Sequence, residues 1–242
     1  MPAVAPRETR LKRVGHKGAD QIVPGNTRSS FDAALAAGVD MIEFDVLPDS
    51  EDGLVLAHDP RDLAVRTPLT LAEGLAHLAS EPFAAIELDV DLKLPGYELD
   101  VLHALREHGL LQRALISSQF RESLALIRLA EPSVRLGWSV PKLRQDPFRN
   151  PLMWIPASCV VLAWRELLPL RAAAAIRAGE CNALMAHWRL VTPRLVRGIE
   201  RAGGELYVWT VDELPRIRAL HALGVTGVIS NDPRLFGALA AG

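Results

Sequence analysis

The sequence predicts a parallel eight-stranded (β/α)8 barrel of the TIM type, with a β-hairpin extension after its second strand. Three observations predict it. One order of elements recurs along the chain: an amphipathic helical stretch, a glycine, then a short apolar run ending in polar residues. Eight such runs alternate with helical stretches in 242 residues, which suits a closed parallel barrel better than an open doubly wound sheet. No G-x-G-x-x-G follows the first run, which weakens the dinucleotide-binding sheet further.

Taken in order, strands are expected at 12–16, 39–46, 84–93, 113–118, 134–140, 182–187, 205–211 and 226–231. The first helix, 27–37, starts from Asn26 or Thr27 as N-cap, turns Phe31, Ala34 and Leu35 inward and stops at Gly38. In "YELDVLHALREHGLLQRALISSQ" Val101, Leu102 and Leu105 share a face, and Gly109 stands where a left-handed cap belongs. Thr192 caps the next such helix, with Pro193 at its first position and Gly203 closing it. Asp212 is expected to cap the last one; Pro215 falls in its first turn, where a missing N–H does little harm, and Gly224 ends it. Residues 141–158, "PKLRQDPFRNPLMWIPAS", are proline-rich and read as an irregular loop over the barrel mouth. Residues 159–178 begin like a strand and continue as mainly helix. The expected organisation is a loose arm over 1–11 and one domain over 12–242.

Bulk properties exclude several classes. Lys plus Arg, 27, nearly balance Asp plus Glu, 29, so no global field favours nucleic acid or an anionic membrane. Cys159 and Cys181 form no C-x-x-C, so neither a disulfide framework nor a thiolate zinc site is indicated, and reduced thiols suit a cytoplasmic location. The opening stretch lacks the apolar core of a signal peptide, and no run of about 18 apolar residues suggests a membrane span. Nothing in the pattern sets the oligomeric state.

A parallel barrel gathers its chemistry at the C-terminal ends of its strands. The first strand ends in "VGHKG", which puts His16 and Lys17 on a glycine-flanked turn. In the second, Glu43 and Asp45 alternate with Ile42, Phe44 and Val46, so both carboxylates aim into the barrel mouth. The few residues between Asp45 and Leu54 are too short for a helical crossover. A hairpin through "DSEDG", centred near residue 51, would return strand 54–58 and set 43 opposite 59 and 45 opposite 57, with His58 beside the two acids. The third strand, "AAIELDVDLKLPG", puts Glu87, Asp89, Asp91 and Lys93 on one face. Three carboxylates and a lysine inside a barrel are costly without a cation or partners. A divalent Mg²⁺ or Ca²⁺ held by Glu43, Asp45 and one acid of this strand is the economical account. Singly, each residue has a plainer reading as a cap, a solvated charge or a surface histidine; the conjunction on three successive strands points to a site.

These residues resemble the glycerophosphodiester phosphodiesterase family. Its pattern runs H-R-G, P-E-N-T, I-E-x-D-V, a D-G turn and H-D, and the chain has "HKG", "PGNT", "IEFDV", "EDG" and "AHD" in that order. The family's E-x-K resembles "DLK" at 91–93, and its W-T-V-N and G-I-I-T-D-x-P resemble "WTVD" and "GVISNDP". The resemblance implies a barrel hydrolase that splits a small-molecule glycerophosphodiester into glycerol 3-phosphate and an alcohol. His16 and His58 would be the acid/base pair, with His16 as base, and Glu43, Asp45 and Asp91 the metal ligands. Lys17 and Lys93 would meet the phosphate, and Trp209 would wall the substrate pocket. A lyase-like reaction on lysophospholipids that stops at a cyclic phosphate is a second expectation, and a non-catalytic phosphodiester-binding barrel a third. Three departures stand out: Lys17 for Arg, Gly25 for Glu, and Asp91 for Glu, with Glu87 or Asp89 as alternative third ligands.

Overall fold

The computed structural model describes residues 10–49, 53–141 and 154–239. Most of the expected arm, the tip of the 49–53 turn and residues 142–153 of the proline-rich loop lie outside the described residues. Among the described residues nine strands form: β1 (Lys12–Gly15), β2 (Met41–Asp49), β3 (Gly53–Val55), β4 (Glu87–Leu92), β5 (Ala114–Ser118), β6 (Arg135–Val140), β7 (Ala183–His187), β8 (Glu205–Trp209) and β9 (Gly227–Ser230). All but β3 pair in parallel in chain order, and β1 pairs with both β9 and β2. The ring is therefore closed and has no free edge. All eight expected strands are present; seven are shortened at one or both ends, while β2 starts later than expected and runs on to Asp49 to pair with β3.

Helices α1 (Arg28–Ala36), α2 (Pro60–Val65), α3 (Leu71–Leu78), α4 (Glu98–Glu107), α5 (Arg121–Ala130), α6 (Trp154–Arg177), α7 (Pro193–Arg201) and α8 (Leu214–Leu223) connect the strands. Thr27 caps α1 in a reciprocal pair with Ser30, satisfying two free N-terminal donors, and Phe31 and Ala34 are buried beneath it. α6 absorbs residues 154–158, which the proline pattern assigned to a loop, and the strand-like start at 159 is helical. Glu213, not Asp212, is the N-cap of α8, and it makes no side-chain cap bond. Asp212 is taken by three donors at the end of β9: Ser230 Oγ, Asn231 N and Asn231 Nδ2. Three bonds to a carboxylate outweigh one helix N–H.

Period-two alternation sorts each strand. Ile42, Phe44, Val46, Leu88, Val90 and Leu92 face outward into the helix-covered core, all almost fully buried. Val14, Met41, Leu115, Met185, Tyr207 and Ile229 fill the barrel interior. At the N-terminal end of the barrel, Glu87 pairs with Lys12 Nζ at 2.6 Å and Arg135 Nη1 at 2.6 Å, and Arg135 Nη2 reaches Glu205 at 2.5 Å. Glu87 is thus committed at the wrong end to serve as the alternative third ligand.

The hairpin has the expected centre, with Leu47 opposite Val55, Pro48 opposite Leu54 and Asp49 opposite Gly53. It is shorter than expected. Leu56 N donates to Leu69 O and Val55 bridges Thr70, so the returning strand is captured by another segment before 57 and 59 can pair with β2. Asp59 then caps α2, accepting from Arg61 N at 2.8 Å, with Pro60 at the first helical position.

Candidate active site

The turn after β1 is built by backbone that few residues could adopt. Lys17 has φ +50° and Gly18 φ +81°, and a Cβ on Gly18 would lie 2.6 Å from the Ser30 backbone. This conformation aims Lys17 N at Glu43 Oε2, 2.7 Å away, and Gly18 N at Glu43 O. His16 N donates to Ser230 O, so the first strand carries His16 against the end of the last.

Asp45 is fully buried and held from two directions. Asn26 Nδ2 donates to its Oδ2 at 2.9 Å, while Asn26 Oδ1 accepts from Asp45 N at 3.1 Å. Lys93 Nζ lies 2.5 Å from Asp45 Oδ1 and also pairs with Asp91 Oδ2. That contact with Asp45 is an ion pair, and among the described residues the buried Oδ1 accepts no other hydrogen bond. Glu43, Asp45 and Asp91 each offer an oxygen, all within 4.8 Å of one another. Three clustered carboxylate oxygens, one of them short of a donor, fit a hard divalent cation. Asp89 lies one inward step deeper on β4 and is bonded by Ser117 Oγ at 2.7 Å, outside that group.

The electrostatics follow from crowding. Burial, then Asp45, pushes the Glu43 carboxyl well above its ordinary range. Burial would also raise Asp45, but Lys93, then His58, His16 and Lys17, outweigh it and hold Asp45 far down. Burial works against the Lys93 charge, yet Asp45, Asp91 and Glu43 drive its pKa well up. Burial, then Asp91, raises Asp89 to about 7. Lys17 follows the Lys93 pattern, raised against burial by Asp45, Asp20 and Glu43. His16 is lowered, chiefly by burial and further by Lys17 and Lys93, so its neutral form dominates near neutral pH.

His16 Nδ1 lies 2.6 Å from Asn231 Oδ1 and Nε2 3.8 Å from Glu43 Oε2, so this histidine joins the carboxylate group. His58 does so only at a distance. Its side chain is 48% exposed, its Nδ1 lies 3.7 Å from Asp59, and its backbone N donates to Asp62 Oδ2. It stands at the rim within electrostatic reach of Asp45, and no hydrogen bond or ion pair joins it to Glu43 or Asp45. Trp209 lies on the interior apolar cluster, donates Nε1 to Met185 O at 2.9 Å, and meets His187 edge-on.

Four polar residues at the site carry no site role in the sequence pattern: Asn26 and Asp212 are expected only as helix caps, and Asp20 and Asn231 have no expected role. Asn26 and Asn231 lay within "PGNT" and "SNDP", motifs that could have marked them. Asp20 accepts from Gly25 N at 2.8 Å and Lys17 Nζ at 3.3 Å; a Cβ on Gly25 would lie 2.5 Å from Asp20 Oδ1. Glycine at 25 therefore makes room for a carboxylate arriving from position 20. A groove of about 620 Å³ lined by Arg121, Arg128, Leu129, Trp138 and Cys181 lies on the outer wall between α5 and α6, away from these groups. Among the described residues, no helix is long and apolar enough to cross a membrane.

Residues 16–92 and 94–235 match the model of the glycerophosphoryl diester phosphodiesterase family. A glycerophosphodiester phosphodiesterase of Caldanaerobacter subterraneus is 25% identical, covering 91% of this chain and 93% of its own. Among solved structures, a glycerophosphoryl diester phosphodiesterase of Silicibacter pomeroyi described as putative superposes with a TM-score of 0.73 at 19% identity, covering 95% of this chain and 94% of its own. A phosphodiesterase of Oleispira antarctica, solved in complex with the product sn-glycerol-3-phosphate, superposes with a TM-score of 0.69 at 20% identity, covering 96% and 98%.

Proposed function

The chain belongs to the glycerophosphoryl diester phosphodiesterase family of hydrolases, and from that premise we propose that it splits a glycerophosphodiester into sn-glycerol 3-phosphate and an alcohol. The observation that carries the reading is the convergence of Glu43, Asp45 and Asp91 at one rim, with His16 Nε2 3.8 Å from Glu43. In this reading the three carboxylates hold a divalent cation, Mg²⁺ or Ca²⁺, whose contribution is to offset charge on the non-bridging phosphate oxygens. The product seen with the Oleispira enzyme supports the choice of glycerol 3-phosphate.

The glycerol 2-hydroxyl lies next to the phosphate and serves as nucleophile. His16, neutral and with its Nδ1 engaged by Asn231, takes the hydroxyl proton as the new O–P bond forms. His58, exposed at the rim where a head group would leave, gives a proton to the departing alkoxide as the old P–O bond breaks. The cyclic phosphate is then opened by water with the two roles reversed. Lys93 and Lys17, both kept charged by their carboxylate neighbours, balance the phosphate anion, and Trp209 walls the pocket. The near balance of charge and the lack of a Cys pairing pattern favour a cytoplasmic location.

A panel of glycerophosphocholine, glycerophosphoethanolamine and glycerophosphoglycerol, run with EDTA, Mg²⁺ or Ca²⁺ and read by mass detection, tests this. Glycerol 3-phosphate should appear with added cation and vanish with chelator, and His16→Ala and His58→Ala should each lose on the order of 10²–10⁴-fold in rate. Full activity in chelator would overturn the reading.

A further inference from the structure

The direction of the His16 ring is set from the far end of the chain. Its Nδ1 is 2.6 Å from Asn231 Oδ1, across a sequence separation of 215. The nitrogen of the same carboxamide is 2.7 Å from Asp212 Oδ2, and Asp212 Oδ1 takes Asn231 N at 2.8 Å and Ser230 Oγ at 3.0 Å. An ionised carboxylate only accepts, so the amide must turn its NH₂ toward Asp212. The reversed amide would set two acceptors 2.7 Å apart. Its oxygen therefore faces His16, and an amide oxygen cannot donate. The proton between them belongs to His16 Nδ1, which leaves the lone pair on Nε2, the nitrogen on the Glu43 side.

We propose that Asp212 and Asn231 form a positioning relay that fixes His16 as its Nδ1–H tautomer, with Nε2 presented to substrate as the proton acceptor. The relay rests on the reading of His16 as base. The two positions therefore act as a pair: a carboxylate at one and a carboxamide at the other puts one acceptor on Nδ1–H and one donor–acceptor bond behind it, in either order. Asn231→Asp alone sets two carboxylates face to face, whereas Asn231→Asp with Asp212→Asn restores one of each.

The test combines imidazole ¹⁵N NMR of the full chain in EDTA, at a pH where His16 is neutral, with steady-state kinetics. In the wild type, His16 should show the Nδ1–H tautomer. Asn231→Leu should give a tautomer mixture and a kcat lower on the order of 10²-fold with KM nearly unchanged, the scale of a lost general base. The double exchange should keep the Nδ1–H form and recover kcat to within several-fold of wild type, which a defect of folding would not do. A wild-type His16 in the Nε2–H form, an Asn231→Leu variant with wild-type tautomer and kcat, or a double exchange as slow as Asn231→Leu would each overturn the relay. A chain inactive on every glycerophosphodiester would remove the proposed function, and the NMR arm alone would then decide the relay.

Discussion

Asp89 carries a cost that its neighbours Asp45 and Asp91 avoid. Lys93 pairs with both of them, whereas Asp89 has one hydroxyl, Ser117, and burial raises it to about 7. The sign of the resulting pH dependence follows from the ordinary carboxyl value of 3.8, which the unfolded chain keeps. Below 3.8 both states hold the proton; between 3.8 and about 7 only the folded state does; so stability falls as pH rises through this window, and the penalty is complete above it. Asn at 89 keeps the oxygen that Ser117 needs and has no charge to bury. Asp89→Asn should therefore gain stability over the wild type from about pH 4 to about 8 and then level off, as read by thermal melts in chelator. Alternation along β2 and β4 made the carboxylates and Lys93 legible in the sequence, because period two alone aims them inward. Asn26, Asp20, Asp212 and Asn231 were not legible as working residues. Motifs could mark Asn26 and Asn231 as polar positions but not what they bond, because no local pattern encodes a contact across 19 or 215 positions; Asp20 has near neighbours as partners, and its task shows only in the turn that Gly25 allows.

Between elements, Arg113 acts as a rivet. Its Nη1 donates to Phe83 O at 2.5 Å and Ile86 O at 2.7 Å, and its Nη2 to Leu78 O at 3.1 Å, tying the end of α3 and the entry of β4 to β5. Phe83 O also accepts from Ile86 N, and a planar fork with several donors reaches three carbonyls at once where an ammonium would not. Arg113→Ala should lower unfolding free energy by about 1–3 kcal/mol in urea titration, with activity per folded molecule unchanged. The eight barrel strands were readable because each is a buried apolar run bounded by glycine or helix caps. The stretch 59–83 was not: α2 and α3 are short, and the bridge from Val55 to Thr70 follows from no periodicity. That bridge is also why the hairpin centre could be read correctly while its length could not.

Across the whole molecule, charge is divided between the two ends of one barrel. The C-terminal end gathers Glu43, Asp45, Asp91, His16 and Lys93, while the N-terminal end closes with Lys12, Glu87, Arg135 and Glu205. The second group is a structural plug. Burial would raise Glu87, but the hydrogen bonds from Lys12 and Arg135 outweigh it and hold it below its ordinary value, so this stabilisation is present above the ordinary carboxylate range and lost as pH falls through it. Arg135→Leu would leave Glu87 and Glu205 near each other without their shared cation. It should cost about 1–3 kcal/mol of stability by calorimetry while leaving KM and metal affinity at wild-type values. A change in metal affinity would contradict the division. The closure of the ring between β1 and β9 also sets a timetable. Glu43, Asp45 and Asp91 come from the first half of the chain and can assemble early, while the partner that aims His16 is 215 residues downstream of it. Contacts of such separation form late, because the ends of a long loop must first be brought together. A ribosome-bound chain short of its last strand would hold the three clustered carboxylates before the partner that aims His16, so on the proposed function the groups for metal are in place ahead of the directed base.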